Sequence, residues 1–485
     1  CITITLQLRL MLMIQSGLDA KEAYATVSGQ NSNNSVRVSD AFMQSLRRSG
    51  SWNLKNRSSE MVKESVSAKG LWERMSKAAW MCGDPGIQFD STINKWNTCK
   101  ASGRIHASNP CSEYMFLDDT ACNLASINLN LFRNEQNRFD TNAFLHATRL
   151  WTIVLDISVL MGQFPSKEVA EQIWRFRTLG LGFTGLGAML MSMGLAYDSE
   201  ESRHLATAIT ATMTGQVYLT SVEMAKNLGS FTGFELNKSS MLEVMIMHRD
   251  ALGIATKTKT NSQLLEVAAR IWDQIINRGS KTGFRNAQVS CIAPTGTIGL
   301  LMDSDTTGIE PLFAPVALKH LSDGGAMQQS AICVEQGLRA LGFPKKSIEK
   351  QMDYLKKHGV MDISQFSNPQ HISVFQCATG SDLGLSPITV TGHLLMMSAV
   401  QPFLSGAISK TVNLPQQATV EQVADCFLKA HRLGLKSIAV YREGSKRIQP
   451  LNQVNDSSGY AIEDEGCCSI PLQNKKMSNR HSILL

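Results

Sequence analysis

Ser108-Asn109-Pro110-Cys111-Ser112-Glu113-Tyr114-Met115-Phe116-Leu117-Asp118-Asp119-Thr120-Ala121-Cys122-Asn123-Leu124-Ala125-Ser126-Ile127-Asn128-Leu129 is the stretch on which the reading of this chain turns. Its start places a thiol, Cys111, between a neutral amide, Asn109, and a carboxylate, Glu113. A turn here would let all three side chains converge on one small substrate. Cys122 follows eleven residues after Cys111, close enough for an adjacent strand. A single cysteine is most often core filler, and the polar flanks argue against that here. A nucleophilic cysteine needs a histidine, a lysine or a helix N-terminus to become thiolate. The nearest histidine is His106, with no residue plainly orienting it, and a carboxylate beside a thiol raises the thiol pKa. The pattern therefore suits a neutral thiol that becomes a thiyl radical acting on a sugar.

Outward from that stretch, 485 residues with 43% hydrophobic and 18% charged content describe a globular chain with a sizeable core. The net charge of +6 suits an anionic small molecule, and no basic tract is dense enough for nucleic acid. The eleven cysteines are scattered, which points to a reducing, cytoplasmic setting rather than a disulfide scaffold. No paired CxxC or CxxC…HxxxH spacing supports a metal site, and no uncharged apolar run of about 20 residues supports a membrane span. The chain opens on Cys1 rather than Met and reads as a piece of a longer reading frame, with residues 1–27 as a non-matching or degraded start.

The periodicity predicts helices over 61–81 and 142–161, the second apolar around most of its circumference and so expected to be buried. Ser199 is read as the N-cap of a helix running to Gly229, and Ser262 as the cap of one ending near Gly279. Thr419 and Gln422 form a capping box for a helix ending near Gly434. Ala287–Ala293, Ile372–Cys377 and Ser437–Tyr441 read as buried strands. The alternation gives an α/β fold with partly parallel pairing. From about Asn452 the pattern dissolves, and residues 452–485 read as a divergent, disordered tail.

Ala293-Pro294-Thr295-Gly296-Thr297-Ile298-Gly299 can offer backbone N–H groups and hydroxyls to a phosphate, although a strand-to-helix turn explains such a run equally well. Asp303 and Asp305 read as turn carboxylates rather than cation ligands. The Met-rich run from Gly392 to Val400 reads as core, and His393 within it as a hydrogen-bonded histidine rather than a metal ligand.

The Ser108–Leu129 phrase resembles the catalytic loop and following strand of ribonucleotide reductases, and the resemblance extends over residues 28–451. It implies the ten-stranded α/β barrel of the ribonucleotide reductase and glycyl radical enzyme type. That barrel has two half-barrels with a finger loop carrying Cys111 through the centre, and here it is expected to be incomplete at both ends. It also implies roles. Cys111 becomes the thiyl radical that abstracts the ribose 3′-hydrogen, and Glu113 takes the 3′-hydroxyl proton. Asn109 hydrogen-bonds the sugar, and Cys122 is one half of a reducing dithiol. Asn109, Pro110, Cys111, Ser112 and Glu113 with Pro294, Thr295, Gly296, Thr297 and Ile298 form the substrate site. Gly392–Asn413, Cys82–Gly86 and Asn94–Cys99 resemble the adenosylcobalamin-dependent (class II) reductases. The single Tyr441 agrees with that subgroup, because reductases that import their radical carry a Tyr-Tyr relay nearby. The implied partners are a ribonucleotide, most simply a ribonucleoside diphosphate, nucleotide effectors in the parent enzyme, and a thioredoxin-type or dithiol reductant. A homodimer is left open, and no nucleic acid or membrane partner is implied.

Some features depart from the family. The partner of Cys122 is expected upstream of this chain, and Ser304 stands where the family carries cysteine. Cys467 and Cys468 are adjacent rather than a spaced shuttle pair. Asn33–Arg37 and Leu179–Phe183 also resemble family segments, and a loop and a helix-packing glycine run account for them without catalysis. The rival readings are a radical-importing (class I) large subunit and a truncated nucleotide-binding piece without turnover.

Overall fold

The computed structural model describes residues 33–56, 58–320, 326–380, 385–445 and 452–453. The expected start at 1–27, Cys1, Cys467, Cys468 and nearly all of the 452–485 tail lie outside the described residues.

Strands β1 (Ser35–Val38), β2 (Ser51–Lys55), β3 (Val62–Ser67), β4 (Gly86–Phe89), β5 (Asn123–Asn128), β6 (Leu179–Thr184), β7 (Val316–His320), β8 (Ala326–Ser330), β9 (Thr411–Leu414), β10 (Ser437–Arg442) and β11 (Asn452–Gln453) alternate with helices. β5 pairs with β6 in parallel. β6 continues into the extended segment 287–293 through the parallel bridge Leu181–Ser290, and that segment meets Ile408, just before β9, through the parallel bridge Ile292–Ile408. β9 pairs in parallel with β10, and β10 pairs antiparallel with β4, which carries β1 in parallel. The result is a wall of two sheets linked by isolated bridges, with a single reversal of direction at the β10–β4 seam. Only β4 and β1 lie beyond that reversal, so the expected two half-barrels are not both formed among the described residues. Among those residues no pairing joins β1 to β5, so the wall is open and a closed ten-stranded barrel is not formed.

Local chemistry explains the elements that hold the wall. In β6, Leu179, Leu181 and Phe183 are fully buried and pack against helices, while Gly180 and Gly182 face the opposite side of the strand. The glycine run is therefore a strand, not a helix-packing segment, and Ser35–Arg37 lies in β1 rather than in a loop. The Glu200–Leu228 helix is capped by Ser199, whose side chain accepts from the N–H of Ser202, and its C-cap is Gly229. It packs between the Ser262–Thr282, Thr141–Met161 and Val390–Val400 helices, so residues around its whole girth are buried. The Val420–Arg432 helix carries the Thr419–Gln422 capping box.

Several expectations are corrected. The helix expected over 61–81 begins at Ala68, because Val62–Ser67 pairs with β2 as a hairpin strand and Ser67 is the N-cap. The helix expected to start from a Ser262 cap has Asn261 as its cap residue and runs to Thr282. Ile372–Cys377 is helical turn rather than strand, for no neighbouring strand offers it a ladder. The Thr141–Met161 helix is not buried all round. Phe144, Leu155 and Val159 face the wall, while Leu150, Trp151, Val154, Ile157, Leu160 and Met161 are 45–77% exposed. Among the described residues it is also the one helix long and apolar enough to cross a membrane by length and composition, with mean hydropathy 1.4. Its Asp156 is nonetheless tied to the wall by a buried ion pair with Arg177 at 2.9 Å and a bond from Asn286 at 2.8 Å.

Candidate functional site

The Asn109–Glu113 turn lies against the seam where the two strand directions meet. The turn closes on itself: Ser112 N–H donates to Asn109 O at 3.1 Å, and Tyr114 N–H donates to the Asn109 side-chain oxygen at 3.0 Å. Ser112 sits in the left-handed region at φ 64°, a conformation that costs a non-glycine residue about 1 kcal/mol or more. Its carbonyl accepts from Ser437 Oγ at 3.4 Å, and the carbonyl of Glu113 accepts from Ala407 N–H at 2.8 Å. Downstream, the buried Tyr114 hydroxyl meets Thr178 Oγ1 and Thr120 Oγ1, each at 2.9 Å. The loop is thus fixed on both sides of the thiol.

Cys111 is half-exposed, and its sulfur accepts a long contact of 3.9 Å from Asn33 Nδ2. Burial raises its pKa, and the Glu113 carboxylate raises it further. The thiol is therefore held protonated, as the sequence pattern indicated. Glu113 is 2% exposed, and one of its carboxylate oxygens has no hydrogen-bond partner. Burial also raises its pKa, with the Asn109 side chain partly offsetting the shift. A carboxylate desolvated in this way is a stronger base than one in water. His106 pairs instead with Asp118 at 3.0 Å, so it is engaged away from the thiol.

Cys122 precedes β5, and its sulfur rests on Gly180. A Cβ built at Gly180 would lie 2.4 Å from Cys122 Sγ and 3.0 Å from Cys291 Sγ, so only glycine leaves room for both sulfurs. The Cys291 thiol is held well above its usual range, first by its hydrogen bond to Cys122 and then by burial. Cys291 has no counterpart in the motif reading. A parallel register between β6 and 287–293 would be needed to foresee it. All eight described cysteines are free thiols.

Pro294, Gly296, Thr297 and Ile298 are exposed at the start of the Gly296–Leu301 helix, whereas Thr295 is buried. The Thr295 hydroxyl is shared with Thr184 Oγ1 and accepts from Gly308 N–H, both at 2.8 Å, so it shapes the turn rather than pointing outward. Glu113 is tethered at the level of Ser290 and Ala407. Pro294 lies four residues further along the same extended run, about 13 Å at strand rise.

Other residues fall where packing explains them. Ser304 Oγ donates to Thr306 O at 2.7 Å, and Asp305 accepts from Cys333 N–H at 2.8 Å. His393, Met396 and Met397 are buried in the Val390–Val400 helix, and both ring nitrogens of His393 lack a hydrogen-bond partner, which corrects the expected hydrogen-bonded histidine. Tyr441 lies on β10. Lys436, unnoticed in sequence, is fully buried without a carboxylate. Its ammonium donates to the carbonyls of Leu404, Ser405 and Gly406 at 3.2, 3.0 and 2.6 Å. Burial lowers its pKa to about 7. It thereby braces the turn from which Ala407 reaches Glu113.

Comparison with known proteins gives one consistent result. The family described as ribonucleotide reductase, barrel domain, matches residues 13–441. A vitamin B12-dependent ribonucleotide reductase of Rhodopirellula baltica is 44% identical over 449 residues, 92% of this chain and 43% of that protein. One from Bradyrhizobium diazoefficiens is 40% identical over 538 residues, 89% of this chain and 43% of that protein. A vitamin B12-dependent ribonucleoside-diphosphate reductase of Mycobacterium tuberculosis is 32% identical over 424 residues, 87% of this chain and 53% of that protein. The chain thus spans about half or less of the length of these curated relatives.

Proposed function

The chain belongs to the ribonucleotide reductase family through its barrel domain, and from that premise we propose that it carries the radical site of a vitamin B12-dependent enzyme. That enzyme converts ribonucleotides to 2′-deoxyribonucleotides for DNA synthesis. The substrate would be a ribonucleoside diphosphate, as in the name of the Mycobacterium tuberculosis relative. The observation that carries the reading is the Asn109–Cys111–Glu113 turn, with a protonated thiol beside a desolvated carboxylate.

In this reading the Cys111 sulfur, as thiyl radical, takes the 3′-hydrogen of the ribose. Glu113 accepts the 3′-hydroxyl proton, and Asn109 orients the sugar hydroxyls. The 2′-hydroxyl leaves as water, and two electrons enter from a dithiol that includes Cys122. The exposed N–H groups at Gly296–Ile298 receive the phosphates, with Pro294 and Thr295 shaping that turn. A protonated Cys111 fits a partner that removes a hydrogen atom rather than a proton. Adenosylcobalamin, when bound, supplies that hydrogen-atom acceptor. His393 is sealed in the core and His106 is paired with Asp118.

The wall closes into the family's ten-stranded barrel in the whole protein, where residues 28–451 form the catalytic region. Effector nucleotides, a thioredoxin-type or dithiol reductant and a cytoplasmic setting are proposed for that whole protein. The test is deoxyribonucleotide formation with adenosylcobalamin and dithiothreitol. Product that requires a second, iron-containing protein instead would favour the class I reading. Nucleotide binding without product would favour a non-catalytic piece.

A further inference from the structure

We propose that Gln88 is the positioning residue for Cys111: it clamps the two serines that bracket the Asn109-Pro110-Cys111 turn and ties them to the β10–β4 seam. Gln88 lies on β4 in register with Ser437 of β10 and is 5% exposed. Arg37, from β1, donates from Nε and Nη2 to Gln88 Oε1 at 3.2 and 2.8 Å. An arginine can only donate, so the amide oxygen must face Arg37 and the amide nitrogen must face the loop. That nitrogen donates to Ser108 Oγ at 2.7 Å and to Ser112 Oγ at 2.8 Å. Arg37 is itself fixed by Ile105 O at 2.6 Å and by Asp90 at 3.7 Å.

The ladder Asp90–Arg37–Gln88 therefore ends on both shoulders of the thiol turn. It holds Ser112 in its left-handed conformation, φ 64°, without touching the Cys111 sulfur. Both amide hydrogens and the amide oxygen of Gln88 are used, so the side chain is fully committed to this task. The charged group that acts on the thiol is Glu113 on its own loop, and Arg37, Asp90 and Arg104 lie behind Gln88. Without the clamp, Ser112 can relax, and Cys111 gains water and moves away from Glu113. The inference rests on Cys111 being the reacting thiol, but its test does not require turnover.

The test measures carbamidomethylation of Cys111 by iodoacetamide across the alkaline range, quantified by peptide mass spectrometry. Gln88→Met should accelerate labelling about fivefold or more and move the midpoint down toward an ordinary thiol. Gln88→Glu still accepts from Arg37 and accepts from the Ser112 hydroxyl, and from Ser108 only once that hydroxyl turns from Asn109 O, to which it donates at 2.8 Å; it also adds negative charge. It should keep the native rate or slow it. A Gln88→Met profile that coincides with the native one, or equal acceleration in both variants, would overturn the proposal. If Gln88→Met does not fold, the paired Ser108→Ala and Ser112→Ala change leaves Gln88 on Arg37 and should give the same acceleration; an unchanged profile there overturns it equally. Failure of the radical reading would look different: Cys111 labelling that ribonucleotide does not slow, with the Gln88 effect intact.

Discussion

The two thiols of the quoted stretch are held in opposite ways. Cys111 is suspended on a polar turn, with hydrogen bonds from Gln88 to both flanking serines and a carboxylate beside it. Cys122 rests on bare backbone, its sulfur and that of Cys291 filling the space above Gly180. The difference teaches that these sites are guarded by different forces. Directional bonds fix the first thiol, so polar substitutions should disturb it. Steric fit fixes the second, so added carbon should disturb it.

The largest expected effect is at Cys111. In a turnover-competent preparation, Cys111→Ser should reduce deoxyribonucleotide formation to background, because a hydroxyl cannot replace the S–H as hydrogen-atom donor. Glu113→Gln comes next, with kcat lower by about 10²–10⁴ while nucleotide affinity is largely retained, the usual range for losing a general base. On the other side of the comparison, Gly180→Ala must push aside the sulfurs of Cys122 and Cys291. Overpacking of this kind costs about 1–3 kcal/mol, readable as a lower denaturation midpoint, and it should alter Cys122 labelling while leaving Cys111 labelling unchanged. Equal disturbance of both thiols would erase the distinction.

A subtler effect is the pH profile of kcat/KM. Glu113 must be ionised to act as base, and its raised pKa moves the acid limb above the ordinary carboxylate range. Cys111 must be protonated, and its raised pKa moves the alkaline limb above the ordinary thiol range. The plateau should therefore be displaced upward at both ends, and Glu113→Gln should remove the acid limb.

Much of this was legible in the sequence because it is local. The Asn109–Glu113 turn, the Thr419–Gln422 box and the Ser199 cap each need only neighbouring residues. What escaped depends on distant pairing. Ile372–Cys377 carries strand-like apolar residues but meets no ladder, so it coils. Leu179–Thr184 carries helix-breaking glycines, yet it is a strand because β5 and 287–293 flank it. Gln88 gains its role from Arg37, its register partner across the β1–β4 pairing, and from Ser112 of the distant loop. Cys291 gains its contact only across β6. The Thr141–Met161 helix looked wholly buried because its apolar residues encircle it, yet only the face toward the wall is covered here.

The most direct test of the central claim is whether a ribonucleotide occupies the space in front of Cys111. Iodoacetamide labelling of Cys111 should be measured with and without a saturating ribonucleoside diphosphate. The account predicts that the nucleotide slows Cys111 labelling severalfold, since its ribose would cover the sulfur. Equal labelling rates, at a concentration where nucleotide binding is independently demonstrated, would contradict it.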